Sequence, residues 1–222
     1  MRRSKSFSGI IASCDLAQDT APWRMSSRSS RKLIVSRGGK SATHVATLRH
    51  DGIDYLGRSN GGYDGEVLPA FERGFALLEK FNFTFDLQYA PAQLVAASKL
   101  CARHSNTKVV IDHLGKPRML LGADAKDNKN NTILNEGELA VWREGMKGMA
   151  QNKNAFAKIS MVGFAIPGWI RTEARIELMR ALVREVVEIF GPERCMVATI
   201  FYMDAAISDG YNDIGPEVPR FL

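Results

Sequence analysis

A chain of 222 residues suits one domain with a sizeable core better than two, and 45% hydrophobic with 24% charged residues excludes disorder along its whole length. No apolar run approaches the ~18–20 residues of a membrane span, and Cys14, Cys101 and Cys195 lie too far apart for a disulfide framework or a cysteine zinc site. The net charge of +6 is uneven, because residues 1–50 hold ten Lys or Arg against Asp15 and Asp19 while the other 172 hold 20 basic and 22 acidic residues.

Residues 9–14 (GIIASC) and 44–48 each read as a strand. Between them, residues 24–40 are rich in Ser and Arg, with only Leu33, Ile34 and Val35 as an apolar cluster. A phosphate-binding arm, an organellar transit peptide and a solvated segment all fit that composition. No aromatics interleave the basic residues, so nucleic acid is disfavoured as a partner and disorder around 24–43 is the expectation. Residues 51–65 then form a loop with five glycines.

The rest alternates helices with strands. Residues 66–81 place Leu68, Phe71, Phe75 and Leu78 at helical spacing, with Pro69 tolerated in the first turn. In FTFDLQ, Phe83, Phe85 and Leu87 alternate with Thr84, Asp86 and Gln88, the period of a strand. Pro91 opens a helix striped by Leu94, Ala97 and Cys101, and the β-branched 108–112 (KVVID) follows as a strand. A polar loop at 119–136 carries Asn128, Asn130 and Asn131. Residues 137–150 are helical on Leu139, Trp142, Met146 and Met149, and 156–160 reads as a strand. The longest helix, 172–190, buries Ile176, Met179, Val183, Val186 and Phe190, and Gly191-Pro192 stops it before a last strand at 195–199. Six strands separated by helices imply a parallel sheet, open or closed. Both long loops follow strands, so both belong to the C-terminal edge, as lids or as tolerated insertions.

Several residues there could carry chemistry. Asp112 and His113, at the end of a buried strand in IDHLGKP, can move a proton or bind a metal; a core histidine bonded to backbone is the alternative. Asp86 and Gln88 share one face of their strand and need partners if that face is enclosed. Lys158, which shares a face with Ser160, is either a ligand for a substrate carboxylate or an ordinary exposed lysine, and Arg49 beside His50 is likewise an anion grip or a solvated pair. His104 belongs to a helix end, where it complements the dipole. Four histidines without HxH or HExxH build no multi-histidine centre, and no GxSxG or P-loop is present.

IDHLGKP, together with GIIASCDL, TLRH (47–50), FERGFALLEKFNFTFDLQ, NKNAFAKIS and FGPERCMVAT in that order, resembles the amidohydrolase-related (amidohydrolase 2) branch of the amidohydrolase superfamily. The resemblance implies an α/β fold, a TIM-type (β/α)8 barrel of the metal-dependent hydrolase type, with about six of the eight units in this chain. It implies hydrolysis of a small carboxylated lactone or similar cyclic ester or amide, and a divalent metal such as zinc in some members. It makes His113 the strand-six histidine, catalytic with Asp112. Arg49 becomes the substrate-gripping arginine, and Asp86, Gln88 and Lys158 line the pocket. Two positions depart from the family. Its first-strand His-x-His is absent, and Ile200 in Thr199-Ile200-Phe201-Tyr202 stands where the last strand carries an acid or amide, with Asp204 four residues on. An incomplete ligand set for a metal follows. The alternative reading is an inactive paralogue or gene fragment serving as a ligand- or protein-binding scaffold.

The expected organisation is a basic region over 1–50 with one or two early barrel strands, then the main barrel portion over 51–222. Strands one and two and the closing segment of the barrel are expected to be missing. Open sheet edges then predict a homodimer, and cysteine usage fits a cytoplasmic setting, with organellar import as the alternative left by the basic N-terminus.

Overall fold

The computed structural model describes residues 11–13, 44–47, 67, 69–80, 82–117, 120–121 and 132–199. Arg49, His50, Ile200, Asp204, the 24–43 segment, the glycine loop and most of the asparagine loop lie outside the described residues.

Six parallel strands form one sheet: β1 (Ile11–Ser13), β2 (His44–Thr47), β3 (Phe83–Leu87), β4 (Lys108–Ile111), β5 (Ala155–Ile159) and β6 (Cys195–Val197). Each strand lies beside its neighbour in sequence, in the order β1-β2-β3-β4-β5-β6. A doubly wound sheet reverses its strand order at a switch point, whereas a barrel never does. The observed order is that of a barrel wall, with β1 and β6 as the edges among the described residues.

Four helices connect the later strands: α1 (Pro69–Lys80), α2 (Pro91–Arg103), α3 (Glu136–Ala150) and α4 (Glu173–Phe190). Their apolar stripes are the ones the spacing predicts. Phe71, Phe75 and Leu78 of α1, Leu94, Ala97 and Cys101 of α2, Leu139, Trp142, Met146 and Met149 of α3, and Met179, Val183, Val186 and Phe190 of α4 are all buried. Ile176 of α4 is half-buried. The Phe75 and Phe85 rings meet edge to face at 5.3 Å, so the Phe83, Phe85, Leu87 side of β3 packs on helices. Thr84 and Asp86 are nevertheless 6% and 5% exposed, so the opposite face is enclosed as well. Polar side chains shut in on that inner face require partners, and these define the site.

Helices α2 and α3 approach closely. A Cβ on Gly145 would lie 2.7 Å from Leu94 Cβ and 3.0 Å from the Pro91 carbonyl oxygen, so a side chain there would force the pair apart. Helix α4 starts where Thr172 Oγ1 accepts from the Arg175 amide, and it ends at Gly191. At the C-terminal end of α2, His104 caps the helix, and its Nε2 lies 3.1 Å from Glu72 Oε1 of α1, within hydrogen-bond distance. The base of the asparagine loop is pinned. Leu121 and Leu134 form an antiparallel bridge, and the Asn135 amide donates to the Leu120 carbonyl at 2.8 Å.

Candidate active site

The chain leaves β4 through an unusual turn. Asp112 is extended, and the next four residues, His113, Leu114, Gly115 and Lys116, all have positive φ, at 57°, 55°, 73° and 51°. Three of them are not glycine, and each costs on the order of 1–2 kcal/mol in this conformation. The surroundings hold it. The Gly115 amide donates to the Asp112 carbonyl at 3.0 Å and the Lys116 amide to that of His113 at 2.8 Å. The buried Trp142 indole Nε1 donates to the Leu114 carbonyl at 2.7 Å. Such stored strain, over-determined by packing, is characteristic of functional turns. At Gly115 any side chain would force its neighbours to shift, because a Cβ would lie 2.7 Å from Met146 Sδ and 2.9 Å from Leu94 Cδ1.

The turn delivers His113 into the enclosed strand ends at 3% exposure. Its Nε2 lies 2.8 Å from Gln88 Nε2 and its Nδ1 2.8 Å from Ser160 Oγ. With an amide nitrogen against it, Nε2 is the accepting atom, so the ring proton sits on Nδ1 and is donated to Ser160. Gln88 follows β3, His113 follows β4 and Ser160 follows β5, so three neighbouring strands supply one chain of hydrogen bonds. The Phe164 ring stacks edge-on to the imidazole at 6.2 Å and carries the Lys116 ammonium 5.7 Å from its centroid.

A second cluster lies on the same strands. Lys158 Nζ donates to Asp86 Oδ2 at 3.3 Å and to Asp112 Oδ1. The lysine side chain is 17% exposed and each aspartate side chain 7%. Burial alone would lower the lysine pKa, but the bond to Asp112 and the charges of Asp112 and Asp86 outweigh it, so the ammonium is held above its ordinary value.

Of the residues the sequence singles out, His113, Asp112, Asp86, Gln88 and Lys158 therefore converge at one edge of the sheet. Arg49 lies outside the described residues. Asp112 is tied to Lys158, and both ring nitrogens of His113 already have partners in Gln88 and Ser160. Ser160 is the residue sequence reasoning undervalued, although its shared parity with Lys158 placed it on the inner face. Cys101 is buried with its thiol pushed up to about 12 by desolvation, so it is an inert core residue.

The donors here do not fit a divalent metal. The two carboxylates are committed to an ammonium, and the imidazole nitrogens to an amide and a hydroxyl. Among the described residues no three or more His, Cys, Asp or Glu side chains are grouped so that they could hold a metal ion. No helix among them is long and apolar enough to cross a membrane.

Comparison with known proteins gives a consistent result. The family model described as Amidohydrolase matches residues 41–199. An L-fucono-1,5-lactonase of Burkholderia multivorans is 25% identical over 154 residues, 68% of this chain and 48% of that relative. An uncharacterized protein of Sinorhizobium fredii is 27% identical over 140 residues, 63% of this chain and 40% of that relative. The chain spans about half the length of the curated relatives it matches, or less. Among solved structures, an amidohydrolase from Burkholderia multivorans with bound zinc superposes with a TM-score of 0.65 at 20% identity, over 96% of this chain and 65% of that one. A probable 2-pyrone-4,6-dicarboxylic acid hydrolase from Acinetobacter baumannii with bound citric acid gives 0.52 at 13% identity, over 97% and 76%. At these identities the structural likeness is one of fold, and that fold is the TIM-barrel type the strand order indicates.

Proposed function

The chain belongs to the Amidohydrolase family, and from that premise we propose that it is a hydrolase acting on a small carboxylated lactone or a similar cyclic ester or amide. The observation that carries this reading is the buried chain Gln88–His113–Ser160 at the strand ends, which presents one imidazole with a defined tautomer. The relative that is a lactonase by name supports the lactone part of that substrate class.

In this mechanism a water displaces the Gln88 amide from His113 Nε2 when substrate enters. The Nε2 lone pair takes a proton as the water oxygen bonds to the ring carbonyl carbon. The resulting imidazolium keeps its Nδ1 proton on Ser160. When the ring C–O or C–N bond breaks, the same Nε2 proton passes to the leaving oxygen or nitrogen, giving the open-chain acid. One general acid–base of this kind is worth ~10²–10⁴-fold. Asp86, Asp112 and Lys158 together carry a formal charge of −1, which favours the imidazolium. Arg49 and the third N–H of Lys158 bind the substrate carboxylate, and Gln88, once displaced, bonds a ring oxygen. A cytoplasmic setting belongs to the same reading.

The test is turnover across a panel of small carboxylated lactones by the purified full chain. Turnover that falls at least 10²-fold in His113→Ala, with folding unchanged by circular dichroism, supports the assignment. Equal turnover in the variant removes it. Ile200, at the position of the family's acid or amide, favours a second reading, an inactive relative that binds ligand as a scaffold. That reading expects calorimetric binding of a lactone acid with no turnover in either protein.

A further inference from the structure

We propose that Trp142 is a positioning residue for His113: helix α3, through one indole hydrogen bond, holds the left-handed turn that sets the imidazole between Gln88 and Ser160. Trp142 is fully buried, and its Nε1 gives its only proton to the Leu114 carbonyl, 28 residues away in sequence, at 2.7 Å. The turn cannot satisfy that carbonyl itself. Its other bonds run from the Gly115 amide to Asp112 and from the Lys116 amide to His113, and the residue next in line, Pro117, has no N–H to donate. Leu114 is also a branched residue held at a φ of 55°, so without the indole nothing polar fixes its peptide in that conformation. Met146, one helical turn beyond Trp142, closes on the next residue, where a Cβ at Gly115 would lie 2.7 Å from its Sδ. Helix α3 therefore grips the Leu114–Gly115 step from two positions. His113 directly precedes that step, and both its ring nitrogens depend on partners at 2.8 Å, so a turn that relaxes carries the ring away from Gln88 and Ser160. As a statement about catalysis this inference rests on the hydrolase reading; as a statement about where the imidazole sits it does not.

Two measurements on the full chain test it without turnover. In histidine side-chain ¹⁵N spectra, wild type is expected to show His113 as a single Nδ1–H tautomer. Trp142→Phe keeps an aromatic ring in the core but lacks the donor, and its His113 nitrogens are expected to shift toward the averaged values of a mobile imidazole while those of His104 stay in place. Asn152→Ala, whose lost bonds lie at the other edge of the sheet, controls for lost stability and is expected to leave His113 unchanged. Wild-type His113 signals in folded Trp142→Phe, or an equal shift in Asn152→Ala, overturn the proposal. The second measurement needs no variant that might unfold. In wild type, hydrogen-exchange protection of the Trp142 indole N–H and of the Gly115 and Lys116 amides is expected to coincide, as one opening unit. Turn amides less protected than the indole by about 10-fold or more would show the turn opening without it, and overturn the proposal as well. Where wild type hydrolyses a lactone, Trp142→Phe is expected to lower kcat about 10-fold or more, with the pH–rate limb moved. Absence of turnover in wild type removes the hydrolase reading and leaves the spectra and the exchange to decide this one.

Discussion

The two edges of this sheet use polar side chains in opposite ways. At the C-terminal edge, side chains bond one another: Gln88 and Ser160 hold His113, and Lys158 holds Asp86 and Asp112. At the N-terminal edge, apart from Asn106 Nδ2, which donates to Glu79 Oε1 at 2.7 Å, they bond the backbone. Asn152 Nδ2 donates to the Cys101 carbonyl, Asn154 Nδ2 to that of Ser105, and Arg194 Nη1 to those of Ala150 and Asn152. A side chain that satisfies a carbonyl holds a loop in place and has nothing to exchange. A side chain that satisfies another can release it to a ligand of the same chemistry. The N-terminal edge has a recess of about 590 Å³ lined by Ser98, Asn106, Asn152 and Asn154, so a recess by itself does not mark the functional edge. The pattern of partners does.

The comparison predicts that damage at one edge appears as lost stability and at the other as lost function. The largest effect falls where the functional edge meets the core. Gly115→Ala combines a positive φ with contacts of 2.7 and 2.9 Å, and a cost of about 2–4 kcal/mol follows from strain plus overpacking. Denaturant unfolding measures it, and a loss below ~1 kcal/mol means that the turn adapts freely. Asn152→Ala comes next. It removes a buried bond to the Cys101 carbonyl and the acceptor of the Asn154 amide, at a cost of about 2 kcal/mol with lactone turnover unchanged. Turnover falling in step with stability would erase the distinction between the edges.

Ser160→Ala is the counterpart. It removes one bond rather than two, so the stability cost is about 1 kcal/mol. Turnover is expected to fall about 10-fold or more, because Nδ1 loses the acceptor that holds its proton and orients the ring. A pH–rate profile whose limb shifts relative to wild type identifies that cause, whereas a uniform drop at all pH values points to simple loss of packing.

How much of this was legible in the sequence follows from the range of each interaction. Helical stripes and the alternation of β3 are local, so Phe71, Phe75 and Leu78 and the two faces around Asp86 could be read directly. The 20- to 40-residue strand spacing gave a parallel sheet, but only the observed order distinguishes a barrel wall from a doubly wound sheet. Lys158 meets acids 72 and 46 residues away, so its pairing depended on a register that no local pattern encodes. The positive φ of His113 and Leu114 had no local signal either. Of the four turn residues only Gly115 advertises that conformation, and the Trp142 bond that holds it comes from a helix whose apolar stripe had already accounted for the indole.

The smallest predicted effect lies away from both edges, where α1 meets α2. Glu72 accepts from Arg103 Nε at 2.7 Å and Nη2 at 2.9 Å, and lies 3.1 Å from His104 Nε2. Chiefly through the Arg103 bond, its carboxyl is held below its ordinary value of 4.5. A depressed carboxyl contributes stability that is fully present above its unfolded pKa and is lost as pH falls through the folded one. The contribution therefore stands at neutral pH and declines below about 4.5. Arg103 is half exposed, so the pair resembles surface bridges worth about 0–1 kcal/mol. Melting curves of wild type and Glu72→Gln should differ slightly at pH 7 and converge near pH 3. Lys158 gives the opposite sign: its raised pKa keeps its contribution constant through neutral pH and removes it only above 10.5. An acid limb that shrinks in Glu72→Gln would place that part of the acid sensitivity outside the candidate site. An alkaline loss beginning well below 10.5 would mean that the ammonium is not held as the geometry requires.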